Sequence, residues 1–417
     1  MEKFVIHGRN YLEGTVSVSG SKNAALPIMA ASLLSEGNVF LENIPPLSDV
    51  FAMGEILTDL GCNVVFSGKE EMLIQAKGLK SHTVPYHLAG KLRGSFLVMG
   101  PLLARLGKVS IAMPGGCCIG ARPIDLHLKG FAALGASIQN TKGSIVARTE
   151  KLRGAKIYLD FPSVGATENI MSAATLAEGD TVIENAAVEP EIVDLANFLI
   201  AMGAKVSGAG TDTVRITGVS ALKPAHYTIM PDRIEAGTFL AAVAAVGGKL
   251  TVKNILPEYI KPLTAKLSEM QIPVTVFEDS VQVVSDGSFR AVDIKTLPFP
   301  GFPTDMQAQM TALLSLSKGT GIITETIFEN RFMHVSELAR MGASIKVTGR
   351  SAVVEGKKHL TGAKVRATDL RAGAALLIAG LAAKGDTEIS DIFHIERGYA
   401  GIDEKLRALG AEIEREH

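Results

Sequence analysis

A chain of 417 residues, with 42 Lys and Arg against 43 Asp and Glu for a formal net charge of -1, is longer than one ordinary hydrophobic core serves, so two domains are the simplest division. Hydrophobic residues make up 47% and aromatics only 5%, with no Trp, so the interior must be built from Ala, Val, Ile and Leu. The balanced charge supplies no general basic field, which argues against a nucleic-acid or acidic-membrane partner and leaves any positive patch to be found by position.

In chain order, Met1-Glu2-Lys3-Phe4 has neither the basic nor the apolar region of a secretory signal, which predicts a cytoplasmic protein. The strand around Phe4 to Val18 can pair with either half of the chain. A helix rich in small residues follows, Asn23 to Leu34, and behind it a turn and short strand, Glu36-Gly37-Asn38-Val39-Phe40-Leu41. The same order recurs at Asn169 to Leu176 and at Ala372 to Ala383. Helices with few polar residues on any face belong in an interior with strands packed around them. These stretches fall short of the roughly 20 residues that cross a bilayer, so no membrane span is predicted.

A second signature is an amphipathic helix that stops before a strand. It occurs six times, at Gly61, Gly135, Gly203, Gln271, Gly342 and Gly410, with a spacing of about 70 residues. Gly suits the left-handed conformation of a helix C-cap, and Gln271 is the exception. Six units arrange most simply as three and three. This predicts one domain over 20–230 and a second over 1–19 with 231–417, Tyr227 to Arg233 forming a crossover. The competing reading is a set of unrelated α/β segments that share a Leu-Gly cap. Domains that meet along their helix N-termini gather positive dipole ends, each roughly half a charge, and favour an anionic substrate.

The densest run of chemistry-bearing residues is Pro114-Gly115-Gly116-Cys117-Cys118-Ile119-Gly120-Ala121-Arg122-Pro123-Ile124-Asp125-Leu126-His127. Its glycines let backbone approach a ligand, Arg122 presents a planar fork for phosphate or carboxylate, and a thiol at Cys117 can act as nucleophile or general acid. The alternative is a small buried hydrophobe in a turn, which is the stronger reading for Cys118. Cys62, Cys117 and Cys118 lack the spacing of a zinc site or a redox pair, so neither a metal nor a disulfide is predicted. Lys22 opens the first small-residue helix in Gly20-Ser21-Lys22-Asn23, where helix N–H groups attract anions; a solvated lysine is the bland alternative. Asp305, in Phe302-Pro303-Thr304-Asp305, sits at another helix start, as a proton acceptor or a simple cap. Arg331, Arg371 and Arg397 recur at comparable places in later units and suggest a shared anion-binding surface, with structural ion pairs as the alternative.

Pro114 to Cys117 running into Gly120-Ala121-Arg122-Pro123, with Ser21-Lys22-Asn23, Ser163-Val164-Gly165-Ala166-Thr167, Phe302 to Asp305 and Arg397-Gly398-Tyr399, resembles the UDP-N-acetylglucosamine enolpyruvyl transferase family over essentially the whole chain. The resemblance implies an α/β fold of two inside-out α/β barrel domains, each of three repeated units, with the active site in the interdomain cleft. It also implies transfer of an enolpyruvyl group from phosphoenolpyruvate to the 3-hydroxyl of UDP-N-acetylglucosamine in the first committed step of peptidoglycan synthesis, with no cofactor and no metal. Lys22, Asn23, Arg122 and Arg397 would hold phosphoenolpyruvate. Arg93, Arg122, Pro123, Ile124, Asp125, Leu126, Ser163, Val164, Gly165, Asp305 and Ile327 would face the nucleotide sugar, with Arg331 and Arg371 completing the substrate surface. Cys117 would protonate C3 of phosphoenolpyruvate from a lid loop and be the target of the epoxide fosfomycin, while Asp305 would help take the proton of the sugar hydroxyl. Ser48 and Phe161 stand where the family often carries lysine. Two other readings remain: a transferase acting on shikimate 3-phosphate, which the Cys117 thiol speaks against, and a non-catalytic paralogue that binds a UDP-sugar.

Overall fold

The computed structural model describes residues 2–68, 70–113, 124–141 and 143–416. Cys117, Cys118, Arg122 and Pro123 therefore lie outside the described residues. The chain divides into two compact units, one from Met1–Ser19 with Pro231–His417 and the other from residues between Gly20 and Met230.

Small-residue helices form the centre of each unit. Lys22–Ala31, Met99–Leu106 and Val164–Ala174 lie in one, and Arg233–Val246, Gln307–Leu314 and Leu370–Ala382 in the other. Leu370–Ala382 is buried from Arg371 to its end on every face, as its run of Ala, Leu and Gly demands. Lack of a side chain also sets how closely two such helices meet. A Cβ on Gly100 would stand 2.3 Å from the Asn169 carbonyl oxygen, and the Gly100 N–H donates to Asn169 Oδ1 at 2.7 Å. Of these six helices, three had no counterpart among the small-residue segments: Met99–Leu106, Arg233–Val246 and Gln307–Leu314.

Around each trio stand three four-stranded sheets. Their strands alternate buried and exposed positions, so one face packs inward and the other meets water. The repeats are stitched together by short parallel strands. Thr83–Val84 pairs with Lys108–Ala112, Lys156–Tyr158 with Asp180–Glu184, and His226–Thr228 returns to Asn38–Glu42, which closes the first ring. The second ring closes through the N-terminus. Lys3–His7 lies antiparallel between Asp386–Ser390 and Glu412–Glu416, opposing Ile6 to Thr387 and Ile413. Leu12–Ser17 runs parallel to Gly248–Lys253, with Val16 opposite Val252. The N-terminal strand thus joins the later half because the sixth sheet draws three strands from residues 364–416, and Lys3–His7 fills the inner place between Asp386–Ser390 and Glu412–Glu416, each of which would otherwise present an unpaired edge.

The six helix ends share one backbone geometry. Gly61, Gly135, Gly203, Gly342 and Gly410 have φ between 90 and 105°, and Gln271 has φ 68°. Gln271 departs from the pattern in residue type, not in conformation.

His334, 1% exposed, opens the short helix His334–Arg340. Burial pushes its ring down to about 4, Asp369 opposing and Arg331 assisting. The fold therefore holds the neutral ring, and the proton is taken up only on unfolding. That stability is complete above pH 6.5 and is lost as pH falls through 4, about 3 kcal/mol in all. We expect His334→Gln to flatten the dependence of the thermal midpoint on pH between 6.5 and 4. An unchanged slope against the parent would remove His334 from the acid limb.

Candidate active site

In the second unit, Phe302-Pro303 ends an extended segment, and Thr304–Met306 makes one turn of 3-10 helix before Gln307–Leu314. This turn carries Asp305. The helix start makes no side-chain cap bond, so the capping alternative fails: the carboxylate goes to arginines instead. Arg331 donates to Oδ1 at 2.7 Å and Arg371 to Oδ2 at 2.8 Å. Both guanidinium side chains are about 5% exposed, while Asp305 keeps 25% of its surface accessible. The cluster thus presents its carboxylate and hides its cations.

Burial by itself would raise the Asp305 carboxyl, but Arg371 and Arg331 outweigh it and hold the group well below the usual carboxylate range. Asp305 is therefore ionised throughout the neutral range. It is also a reluctant proton sink, because a general base works best with a pKa near the operating pH. Arg371 is fixed on its far side by Tyr399, which accepts from Nη1 at 3.2 Å and lies under the guanidinium at 5.7 Å. Tyr399 in turn meets Thr238 at 2.9 Å and accepts from Gln309 at 3.2 Å. Ile327 lies in the turn after Thr320–Thr324, its N–H donating to Glu325 Oε1 at 2.8 Å. Arg397 ends the 3-10 helix Ile392–Arg397, where its charge helps lower the His394 ring that burial has already depressed.

In the first unit, Lys22 is the first residue of its helix and only 9% exposed, against the solvated alternative. Its ammonium donates to Asp49 Oδ2 at 3.0 Å. Asn23 beside it is exposed. Arg93 opens the 3-10 helix Arg93–Val98 and is half-buried. Ser163 caps Val164–Ala174, its Oγ accepting from Ala166 N–H, so Val164 and Gly165 lie in the first turn, whose N–H groups have no acceptor within the helix. Ile124 precedes the helix Asp125–Ala133, with Asp125 exposed and Leu126 half-buried in its first turn.

One side chain ties these segments together. His127 lies edge-on to Phe96, its Nδ1 is 3.1 Å from Asn169 Nδ2, and a Cβ on Gly165 would meet its ring at 3.2 Å. Burial, then the charge of Arg93, pushes the imidazole down to about 4. Since Asn169 Nδ2 is a donor, Nδ1 accepts and the proton sits on Nε2, the nitrogen beside Gly165. Sequence reasoning quoted His127 and Tyr399 only as the ends of motifs, and it gave Asp49 no role. Asp49 is 27 residues from Lys22 in a first helical turn, where an acid ordinarily reads as a dipole complement. Among the described residues, no group of three His, Cys, Asp or Glu side chains is placed to hold a metal, and no helix is long and apolar enough to cross a membrane.

The sequence pattern of EPSP synthase (3-phosphoshikimate 1-carboxyvinyltransferase) matches residues 6–406, nearly the entire chain. The chain belongs to the EPSP synthase family. Within that family, it is 59% identical over 99% of its length to UDP-N-acetylglucosamine 1-carboxyvinyltransferase 1 of Caldanaerobacter subterraneus subsp. tengcongensis, covering 99% of that protein. It is 58% identical over its whole length to UDP-N-acetylglucosamine 1-carboxyvinyltransferase 2 of Carboxydothermus hydrogenoformans, again covering 99% of the relative. The fold of this EPSP synthase family member is that of the enolpyruvyl transferase NikO from Streptomyces tendae, with a TM-score of 0.89, 26% identity and 99% and 98% of the two chains covered. EPSP synthase from Acinetobacter baumannii has the same fold at TM-score 0.78 and 19% identity, covering both chains fully.

Proposed function

We propose that this chain transfers the enolpyruvyl group of phosphoenolpyruvate to the 3-hydroxyl of UDP-N-acetylglucosamine with release of phosphate, opening peptidoglycan synthesis in the cytoplasm. The observation that carries the reading is the identity of 58–59% over full length to relatives bearing that activity in their names. The chemistry of its side chains suits it. Both substrates are anionic, and Lys22 at a helix N-terminus, Arg93, Arg331, Arg371 and Arg397 supply positive charge without a metal.

In this reading Lys22, Asn23, Arg122 and Arg397 hold phosphoenolpyruvate, and Arg93, residues 122–126, Ser163 to Gly165 and Ile327 hold the nucleotide sugar. Asp305 accepts the hydrogen bond of the sugar 3-hydroxyl and orients its oxygen toward C2 of phosphoenolpyruvate. As the C2–O bond forms, Cys117 delivers a proton to C3, giving a tetrahedral ketal. Loss of a C3 proton and of phosphate then restores the double bond in the product. Because two guanidiniums suppress the basicity of Asp305, it takes the hydroxyl proton only as an arginine turns toward substrate phosphate, and the departing phosphate carries that proton away.

Phosphate release with phosphoenolpyruvate plus either UDP-N-acetylglucosamine or shikimate 3-phosphate tests the assignment. Release with the nucleotide sugar alone, and a product heavier by the enolpyruvyl group, is the expected result. Release only with shikimate 3-phosphate moves the chain to the other branch of its family. Silence with both leaves a sugar-binding paralogue.

A further inference from the structure

Glu325 is 1% exposed at the end of the strand Thr320–Thr324, and it belongs to none of the substrate-facing positions above. A buried carboxylate requires full hydrogen bonding, and this one has it. Oε1 accepts from the N–H groups of Ile327 at 2.8 Å and Phe328 at 3.1 Å and from the Thr296 hydroxyl at 3.0 Å. Oε2 accepts from the Thr304 hydroxyl at 2.9 Å. Thr304 precedes Asp305, and its oxygen also receives Arg331 Nη1 at 3.1 Å, while Arg331 Nη2 holds Asp305. The chain returns through the same group, since Arg331 stacks on Phe328 at 5.0 Å. One carboxylate therefore spans the Ile327 turn and the Thr304-Asp305 turn.

Engagement of the Ile327 N–H has a chemical consequence. The backbone of Ile327 has only its carbonyl left to offer a ligand, and Asp305 likewise offers only acceptor oxygens. Together they recognise a ligand rich in N–H and O–H donors, such as an N-acetylated sugar ring. We propose that Glu325 is a positioning residue that sets the spacing between the Ile327 carbonyl and the Asp305 carboxylate and thereby selects the sugar substrate. The inference rests on the function proposed above.

Glu325→Ala frees two N–H donors at the turn and the hydroxyls of Thr296 and Thr304, so both acceptors shift while the phosphoenolpyruvate-binding cations of the first unit are left in place. We expect KM for UDP-N-acetylglucosamine to rise roughly tenfold to hundredfold, as for the loss of one to two well-placed hydrogen bonds, with KM for phosphoenolpyruvate changed less than about threefold. Glu325→Gln keeps one acceptor for the Ile327 turn and recovers most of the sugar KM. Thr304→Val removes the hydroxyl that meets both Glu325 Oε2 and Arg331 Nη1, so it cuts the span at its Asp305 end while the Ile327 turn keeps its bonds, and it raises the sugar KM as well as lowering kcat. If Glu325→Ala does not fold, a raised sugar KM in Thr304→Val beside a near-parental one in Glu325→Gln still carries the test. A parallel rise of both KM values, or parental constants in all variants, overturns the proposal. Calorimetric titration of the unmodified enzyme with UDP-N-acetylglucosamine separates the two ideas. No binding there overturns the functional reading and this inference with it, whereas parental binding that Glu325→Ala retains overturns the inference alone.

Discussion

Replacing Asp305 by Asn leaves a folded enzyme that binds UDP-N-acetylglucosamine within a few-fold of the parent and turns over about 10²–10⁴-fold more slowly. Asparagine keeps the shape and one acceptor, so one of Arg331 and Arg371 keeps its bond while the other faces the amide N–H groups, and the negative charge proposed to polarise the sugar hydroxyl is gone. Asp305→Ala is a harsher change. It strands two guanidiniums that are about 5% exposed, at a cost of about 3–5 kcal/mol for an uncompensated buried charge. Stopped turnover in Asp305→Asn, with calorimetric sugar binding intact, is the decisive pattern; parental kcat would make the carboxylate structural only. The pH profile adds a check. A carboxyl held well below its ordinary range stays ionised down to strongly acidic pH, so its contribution to stability is full at neutrality and fades only as pH falls below the ordinary carboxylate range. Any acid limb in kcat near pH 5–7 must then belong to another group, and Arg371→Gln should shift the Asp305 titration upward.

Cys117→Ser is expected to lower kcat by about 10²–10⁴-fold at neutral pH and to abolish alkylation by fosfomycin. A thiol titrates near 8.5, within reach of neutral pH, whereas a serine hydroxyl neither yields its proton to carbon readily nor forms an appreciable anion. Cys118→Ser should change both readouts by less than about threefold if its side chain only packs. Cys62 is an internal control. It is buried, and burial pushes its thiol up to about 11, so it should carry no adduct. Peptide mass mapping of the fosfomycin-treated protein reads all three cysteines at once. An adduct on Cys118, or equal loss of activity in both serine variants, would show that the wrong sulfur was chosen.

Local signals were legible wherever one residue type serves one backbone need. The helix–Gly endings mark left-handed turns at Gly61, Gly135, Gly203, Gly342 and Gly410, and their six-fold recurrence exposed the repeat. The recurrence even corrects its own exception, since Gln271 takes the same turn. Core helices were found where Ala and Gly crowd together, as in Leu370–Ala382. They were missed where Thr, Gln or Glu interrupt the run, as in Arg233–Val246 and Gln307–Leu314. Two of those polar side chains bond within the core: Thr238 to the Ile234 carbonyl and Tyr399, Gln309 to Tyr399 and Thr238.

By itself the sequence determined the α/β class, the repeat, the family resemblance and the set of chemically capable side chains, because each depends on residue type and short-range spacing. Only the tertiary structure decided which of those side chains meet. Asp305 reads as a helix cap until Arg331 and Arg371, 26 and 66 residues away, are seen to hold it. Lys22 reads as an anion site or a solvated lysine until Asp49 is seen beside it. Glu325 carries no motif and His127 only ends one, and their importance comes from the bonds they make across segments. Burial and charge pairing are properties of neighbours in space, and the electrostatics that set a carboxylate's proton affinity arise only once the chain has brought those neighbours together.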